Sequence, residues 1–148
     1  MGNFRVTIFG LDGVGALVAE ALVRSGIGSL LLIDTEKIVL EDIHSLFYST
    51  CKVHECRLQT VVQKLQSING DVKIEILKGK VTDETMQDAW TTWNDINNKN
   101  INCNDSAFVI GNLEKEDATC INTLALQHNV PLLRFTASSD GMGGTLHF

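Results

Sequence analysis

The sequence predicts an α/β fold in which a mainly parallel sheet carries helices on both faces. Short apolar runs alternate with amphipathic helical segments along the whole chain, which is the pattern of a parallel sheet with crossover helices. Leu30–Ile33 and Ala107–Ile110 are continuous apolar runs, typical of strands buried on both faces. The length of 148 residues and the apolar fraction of 44% fit one domain with a real core. We therefore expect a single domain over residues 1–148.

The individual elements follow from apolar spacing and from turn residues. The predicted strands are short and rich in aliphatic or β-branched side chains: Phe4–Phe9, Leu30–Ile33, Val72–Leu77, Ala107–Ile110, Val130–Phe135 and Thr145–Phe148. The predicted helices place apolar residues three and four apart: Ala16–Ser25, Glu55–Ile68, Asp83–Trp93 and Asp117–Asn129, with a further helical turn near Leu46. The polar, asparagine-rich segment 94–105 shows no periodicity and is predicted to be a surface loop.

Composition limits the classes of protein to which the chain could belong. A formal net charge of −6 argues against a nucleic-acid-binding protein, which usually presents a basic patch. No apolar run approaches the roughly 20 residues that span a bilayer, and no secretory signal is visible. We therefore expect a cytoplasmic protein without a membrane or nucleic-acid partner.

The four cysteines are irregularly spaced, which favours free thiols in a reducing compartment. Cys51, His54 and Cys56 resemble a set of metal ligands, but no C-x-x-C pair and no second ligand pair accompany them. The interpretation that we favour is a loop or helix with ordinary thiols and no metal site.

A glycine-rich loop between the first strand and the first helix is the main chemical signal. Its glycines are Gly10, Gly13 and Gly15, and such a loop lets a phosphate approach the backbone at a helix N-terminus. The usual fingerprint is G-x-G-x-x-G, whereas Asp12 takes its middle position here. A carboxylate at that point repels phosphate, unless it turns outward or caps the helix and leaves no phosphate there.

Asp34 ends the second predicted strand, about 20 residues after the loop, where an acid can accept hydrogen bonds from ribose hydroxyls. The alternative is a solvated acid at a strand end. Together, the loop and this acid indicate a nucleotide-binding ancestry of Rossmann type more strongly than present-day binding.

The segment from Val23 to Asp34, VRSGIGSLLLID, resembles the signature of the ubiquitin-like-modifier activating superfamily, which includes the bacterial sulfur-carrier adenylating enzymes. That family has a glycine loop, a helix, an R-x-G-I/V-G turn and a strand that ends in Asp. Within it, the chain is most similar to the group that activates ubiquitin-fold modifier, from Arg5 to about Phe148. Further matching segments are Leu46–Tyr48, Ile68–Asn69 and Ile121–Thr123.

The resemblance implies a reaction, a cofactor and site residues. The family binds ATP with magnesium and adenylates the C-terminal glycine of a small modifier. By position, Gly10, Gly13 and Gly15 form the phosphate loop, and Asp34 is the ribose acid. Arg57 stands where the family has a lysine that reaches the phosphates, and the planar guanidinium changes the geometry of that contact.

Several positions depart from the family pattern. Ser45 replaces the arginine of an N-x-N-R stretch, so that residues 42–45 read DIHS. Leu113 occupies the position of the family's magnesium-binding aspartate, and Glu114 could substitute for it if the loop shifts by one residue. Lys80 occupies a position where the family is expected to have an asparagine. The family continues beyond the region of residues 143–144 into a segment with a catalytic cysteine. We therefore expect no catalytic residue in this chain, and Cys120 is expected to pack in the core.

Two functions follow from these matches and departures. The first is a non-catalytic subunit that serves as a dimer partner, with itself or with a catalytic adenylating subunit, or as a platform for a ubiquitin-like modifier. The second is an active ATP-dependent adenylating enzyme, either a fragment of a longer protein or a short form that uses Arg57, Glu114 and residues lent by a partner. A domain that binds another dinucleotide, such as NAD, ranks below both.

Overall fold

The computed structural model describes residues 4–80, 84, 87–88, 91, 106–110, 115–128, 130–137 and 144–147, with the backbone alone for 106–110, 134–137 and 144–147. Its strands are β1 (Arg5–Phe9), β2 (Ser29–Asp34), β3 (Lys73–Lys78), β4 (Ser106–Ile110), β5 (Leu132–Ala137) and β6 (Gly144–His147). They form one six-stranded sheet in the order β3-β2-β1-β4-β5-β6. All neighbours are parallel except β5 and β6, which are antiparallel. The predicted mainly parallel sheet is confirmed.

The helices are α1 (Gly13–Arg24), α2 (Leu40–Ile43), α3 (Arg57–Ile68) and α4 (Lys115–His128). The predicted start of the first helix at Ala16 was three residues late, because Asp12 caps the helix N-terminus. The predicted helical turn near Leu46 was misplaced: the helical residues are those of α2, and turns follow them through residue 50. Of the predicted helix 83–93, residues 84, 87, 88 and 91 are helical, and the rest lies outside the described residues, as does segment 94–105.

The helix α3 begins at Arg57, two residues later than the sequence predicted. The segment before it is extended: Lys37 and Cys56 form an isolated antiparallel bridge, and Ile38 N donates to Glu55 O over 2.8 Å. His54 has a positive φ of 75°, which turns the chain out of helical geometry just before the bridge. Residues 54–56 are therefore not helical, and Cys56 is the N-cap residue of α3.

The core has two parts, one on each face of the sheet. On one face, α1 and α3 pack against β1 and β2 through fully buried side chains: Ile8, Ala16, Ala19, Val23, Leu32, Val61 and Leu65. On the other face, α4 covers the opposite side of the same strands through a second cluster: Phe9, Leu31, Ile33, Ile121, Leu124 and Ala125. Helices thus lie on both faces, as predicted.

The strand order fixes the place of the functional site. Strand β1 pairs with β2 on one side, with Phe9 opposite Ile33, and with β4 on the other, with Phe9 opposite Ile110. The chain therefore leaves β1 at the point where the strand order reverses, and the crevice outside the carboxyl ends of such strands is where ligands bind in open α/β sheets. Within the described part of the chain, no helix is long and apolar enough to cross a membrane.

Candidate functional site

The glycine loop is a tight turn at the carboxyl end of β1. Gly10 has a positive φ of 85°, and its N–H donates to Ile33 O over 2.9 Å, which ties the loop to β2. At Gly15, a Cβ atom would lie 2.0 Å from the carbonyl oxygen of Gly10. Both positions therefore need glycine for the loop to close on the first turn of α1, whether or not a ligand is present.

Gly13 is required by another part of the chain. A Cβ atom at this position would lie 2.7 Å from the Cβ of Ser45. The side chain of Ser45, at the position of the family arginine, thus packs directly on the loop. The close approach that Gly13 permits in this structure is to a serine of the same chain.

Asp12 is the N-cap of α1. Its Oδ1 accepts a hydrogen bond from Gly15 N over 2.9 Å, with ψ of −174° placing the residue in extended backbone. The N-cap alternative is the one that the structure adopts. The carboxylate stays at the loop and interacts with the helix N-terminus, whose partial positive charge would otherwise attract an anion.

Asp34 lies buried at the end of β2 with both carboxylate oxygens engaged. Oδ2 accepts from Leu11 N over 2.7 Å, and Oδ1 accepts from Glu36 N over 2.6 Å. The acid predicted for the ribose therefore stands beside the glycine loop, as expected, and also holds the loop in place.

Arg57, the first residue of α3, forms a two-pronged ion pair with Asp42. Nε donates to Oδ2 and Nη2 donates to Oδ1, each over 2.9 Å, which is the bidentate geometry of a strong guanidinium–carboxylate pair. Nη1 lies 3.6 Å from Oδ2 of Asp34. Burial alone would lower the pKa of Arg57, but the hydrogen bonds with Asp42 and the charge of Asp34 outweigh it and raise the pKa. The guanidinium thus stays charged and is neutralised from within the chain.

The segment after α2 is fastened to the glycine loop and to α3. Tyr48 is fully buried, and its hydroxyl donates to Leu11 O over 2.5 Å. Burial, the largest influence, raises the pKa of Tyr48 well above its ordinary value. Lys64 of α3 donates to Phe47 O and lies 4.9 Å from the centre of the Phe47 ring. These contacts fix Ser45 on Gly13 and Asp42 on Arg57.

The sequence predictions missed Asp42 as the partner of Arg57 and Tyr48 as the partner of the loop. The pairs lie 15 and 37 residues apart, so no local spacing revealed them. Gly10, Gly13, Gly15, Asp34 and Arg57 do come together around one loop, but their role in binding a cofactor stays a prediction.

The remaining candidate residues lie away from this loop or outside the described part of the chain. Among the described residues, no group of three or more His, Cys, Asp or Glu could hold a metal ion, and Cys51 and Cys56 pack partly buried against the core. Lys80 is exposed. Leu113 and Glu114 lie outside the described residues.

Cys120 packs against the second core cluster, as expected. Gln87 Nε2 lies 3.0 Å from its sulfur, and burial together with the charge of Asp117 raises the pKa of the thiol. A thiol with a raised pKa is a poor nucleophile near neutral pH.

Curated proteins resemble part of this chain in sequence. Ubiquitin-like modifier-activating enzyme 5 of Gallus gallus is 38% identical over 80 residues, which cover 54% of this chain and 20% of that protein. The Arabidopsis thaliana enzyme of the same name is 37% identical over 97 residues, which cover 66% of this chain and 22% of that protein. The matched region is thus about a fifth of each curated relative.

Solved structures share the fold at low sequence identity. E. coli tRNA N6-threonylcarbamoyladenosine dehydratase, TcdA, in complex with AMP, has a TM-score of 0.72 at 17% identity, over 90% of this chain and 51% of that chain. The protein PaaA has a TM-score of 0.68 at 20% identity, over 92% of this chain and 38% of that chain. The sequence model of the ThiF family matches residues 1–143. With this match over nearly the whole chain, and with the glycine loop and Asp34 set at the β1–β2 edge of a doubly wound sheet, the protein belongs to the ThiF family.

Proposed function

We propose that this chain is a modifier-activating-enzyme-type domain that does not itself adenylate. It acts in the cytoplasm as a dimer partner, with itself or with a catalytic adenylating subunit, or as a platform that binds a ubiquitin-like modifier. The observation that carries the proposal is the Asp42–Arg57 ion pair. The cation at the predicted phosphate position already has a carboxylate partner in the chain.

Of the described residues, Asp34 has the position of a ribose acid, although both of its oxygens already accept from the backbone, and the residues at the loop do not fit the phosphates of ATP. Asp34 stands at the end of β2 beside the loop, where a ribose acid belongs. Three features oppose the binding of a triphosphate: Asp12 caps the helix N-terminus, Ser45 packs on Gly13, and Arg57 is paired with Asp42. Since each phosphate oxygen needs a positive or hydrogen-bonding partner, these residues do not support the charge of a triphosphate.

The relatives support the choice of partner. The curated proteins that this chain resembles over 80 to 97 residues are named for the activation of a ubiquitin-like modifier. A domain that keeps the fold and loses the phosphate contacts still offers surfaces for such a modifier or for a second subunit.

An active ATP-dependent adenylating enzyme is the second candidate. Arg57 Nη1 lies within 3.6 Å of Asp34, so that a cation and the predicted ribose acid share one edge of the sheet. If a nucleotide displaced Asp42, this cation would face it.

Calorimetric titration of ATP with magnesium into the chain distinguishes the two candidates. We expect no heat and no thermal shift at millimolar ATP. Binding in the micromolar range that Asp34→Ala abolishes, with the variant shown to be folded by circular dichroism, would establish a working site and overturn the proposal.

Light scattering on the purified chain, together with a binding assay on an immobilised modifier-activating enzyme, tests the proposed partners. We expect a dimer, or a monomer that is retained by an immobilised modifier-activating enzyme. A chain that stays monomeric at high concentration, and that binds neither such an enzyme nor a ubiquitin-like modifier, would contradict the proposed role.

A further inference from the structure

We propose that Asp42 and Asp12 are internal substitutes for nucleotide phosphates, and that these carboxylates set the charge preference of the site against polyanions. The inference rests on the proposed function, because it names the residues that keep the site from holding a phosphate chain. It also makes the loss of phosphate binding reversible by isosteric substitution.

The Asp42–Arg57 contact is built into the fold and is not a chance surface pair. Asp42 is only 5% exposed, and the side chain of Arg57 is 12% exposed. Oδ2 of Asp42 also accepts from Val39 N over 2.9 Å, which fixes the carboxylate on the first turn of α2. Since both prongs of the guanidinium face this carboxylate, a phosphate must displace it to gain the same bidentate contact.

Asp12 adds a second negative charge at the N-terminus of α1, which would otherwise attract an anion. Its Oδ1 holds Gly15 N, one of the N–H groups that a phosphate would use at the start of α1. Together with buried Asp34, these carboxylates outnumber the guanidinium of Arg57 around the loop. Among the described groups named here, three carboxylates thus accompany one guanidinium, and the negative charge of a polyanion would add to theirs at short range.

The substitutions Asp12→Asn and Asp42→Asn remove charge with little change of shape. Asparagine is as good an N-cap as aspartate, so α1 keeps its cap. At position 42, asparagine keeps one acceptor oxygen for Val39 N or Arg57 and turns its NH2 group toward the other donor, so that part of the contact is lost with the charge. Asp71→Asn is the matched control, since Asp71 is exposed in the turn before β3, at the amino end of the sheet.

The experiment is a calorimetric titration of ATP and of AMP into wild type, each single variant, the double variant and the control. Because wild type is expected to give no heat at millimolar ATP, its Kd is known only as a lower limit; we expect each substitution at position 12 or 42 to give measurable ATP binding with a Kd at least about tenfold below that limit, a factor that corresponds to about 1.4 kcal/mol. The gain should be larger for ATP than for AMP, because ATP carries more negative charge. Asp71→Asn should behave like wild type with both nucleotides.

Two results would overturn the inference. One is a folded double variant, verified by circular dichroism, that binds ATP no better than wild type. The other is a gain of the same size for AMP and ATP, which would indicate an opened cavity and not a removed charge. If Asp42→Asn unfolds the chain, the ATP affinity of Asp12→Asn alone tests the inference, because this variant keeps the Asp42–Arg57 ion pair.

The outcomes for the inference and for the proposed function are separate. Micromolar ATP binding by wild type would overturn the proposed function and the claim that these carboxylates exclude a phosphate chain, whereas tighter ATP binding by the variants would still support their charge effect. An inert wild type with equally inert variants would leave the proposed function in place and overturn the inference.

Discussion

The hydrogen bond between Tyr48 and the glycine loop gives a prediction whose size follows from the structure. Tyr48→Phe keeps the buried ring and removes the hydroxyl that donates to Leu11 O over 2.5 Å. Leu11 is fully buried, so its carbonyl oxygen loses this donor in a place where water does not easily replace it. Removing one partner of a buried hydrogen bond costs about 1–3 kcal/mol of the free energy of unfolding.

Thermal and urea unfolding, followed by circular dichroism, measure this cost. For a domain of this size, each kcal/mol lowers Tm by roughly 2–4 °C. The control is Ser49→Ala, since the exposed Ser49 hydroxyl also donates to a carbonyl, that of Leu46 over 3.0 Å. The control should change the free energy of unfolding by less than about 0.5 kcal/mol. If both variants are equally stable, the argument that burial makes the Tyr48 contact important is refuted.

The pH dependence of the free energy of unfolding, compared between wild type and Tyr48→Phe, provides a second measurement. Because burial raises the pKa of Tyr48 in the folded state, its proton stays on where an unfolded tyrosine, with a pKa of about 10, ionises. The contribution to stability is therefore fully present below about pH 10 and falls by about 1.4 kcal/mol per pH unit above it. Tyr48→Phe lacks this loss, so the advantage of wild type should shrink by about 1.4 kcal/mol at about pH 11.

Since Tyr48 is the only tyrosine of the chain, tyrosinate absorbance follows it directly. The absorbance should rise only together with alkaline unfolding. A rise in the still folded protein near pH 10 would contradict the buried hydrogen bond.

Three further predictions concern single positions. Gly15→Ala should abolish or severely reduce stable folding, because its Cβ would lie 2.0 Å from a backbone oxygen; a folded variant of near wild-type Tm would be inconsistent with the loop geometry. Gly26→Ala should cost only about 1 kcal/mol, because φ is +77° but no atom lies within 4 Å of the added Cβ; unfolding in urea checks both glycines. The raised pKa of Cys120 predicts that iodoacetamide modifies this thiol more slowly than free cysteine at about pH 8, as measured by mass spectrometry; equal rates would contradict the raised pKa.

The parts of the fold that the sequence predicted well depend on local patterns. Continuous apolar runs such as Leu30–Ile33 identify buried strands, and alternation with helices leaves few sheet topologies for the chain. The errors arose where side-chain contacts override the pattern. Asp12 starts α1 three residues early, and the Lys37–Cys56 bridge delays α3 to Arg57.

For the candidate site, the sequence names residues whose binding role stays a prediction, and it does not reveal how they contact one another. Gly10, Gly13, Gly15, Asp34 and Arg57 were named from motif and resemblance, and the structure brings them to one loop. What each contacts depends on residues far along the chain. No periodicity reports that Asp42 faces Arg57, because an ion pair between α2 and α3 depends on how the two helices pack.

The glycine loop shows why a motif alone does not establish a ligand. Gly15 is required by the Gly10 carbonyl, and Gly13 by Ser45, so each glycine has a reason within the fold. Such a loop would persist after phosphate binding is lost, because replacing its glycines would damage the fold first. The information about the ligand lies in the charges around the loop, and in this chain Asp12 accepts from the helix N-terminus and Asp42 pairs with Arg57. For this chain, the charge balance at the loop is thus a more direct guide to phosphate binding than the glycine spacing.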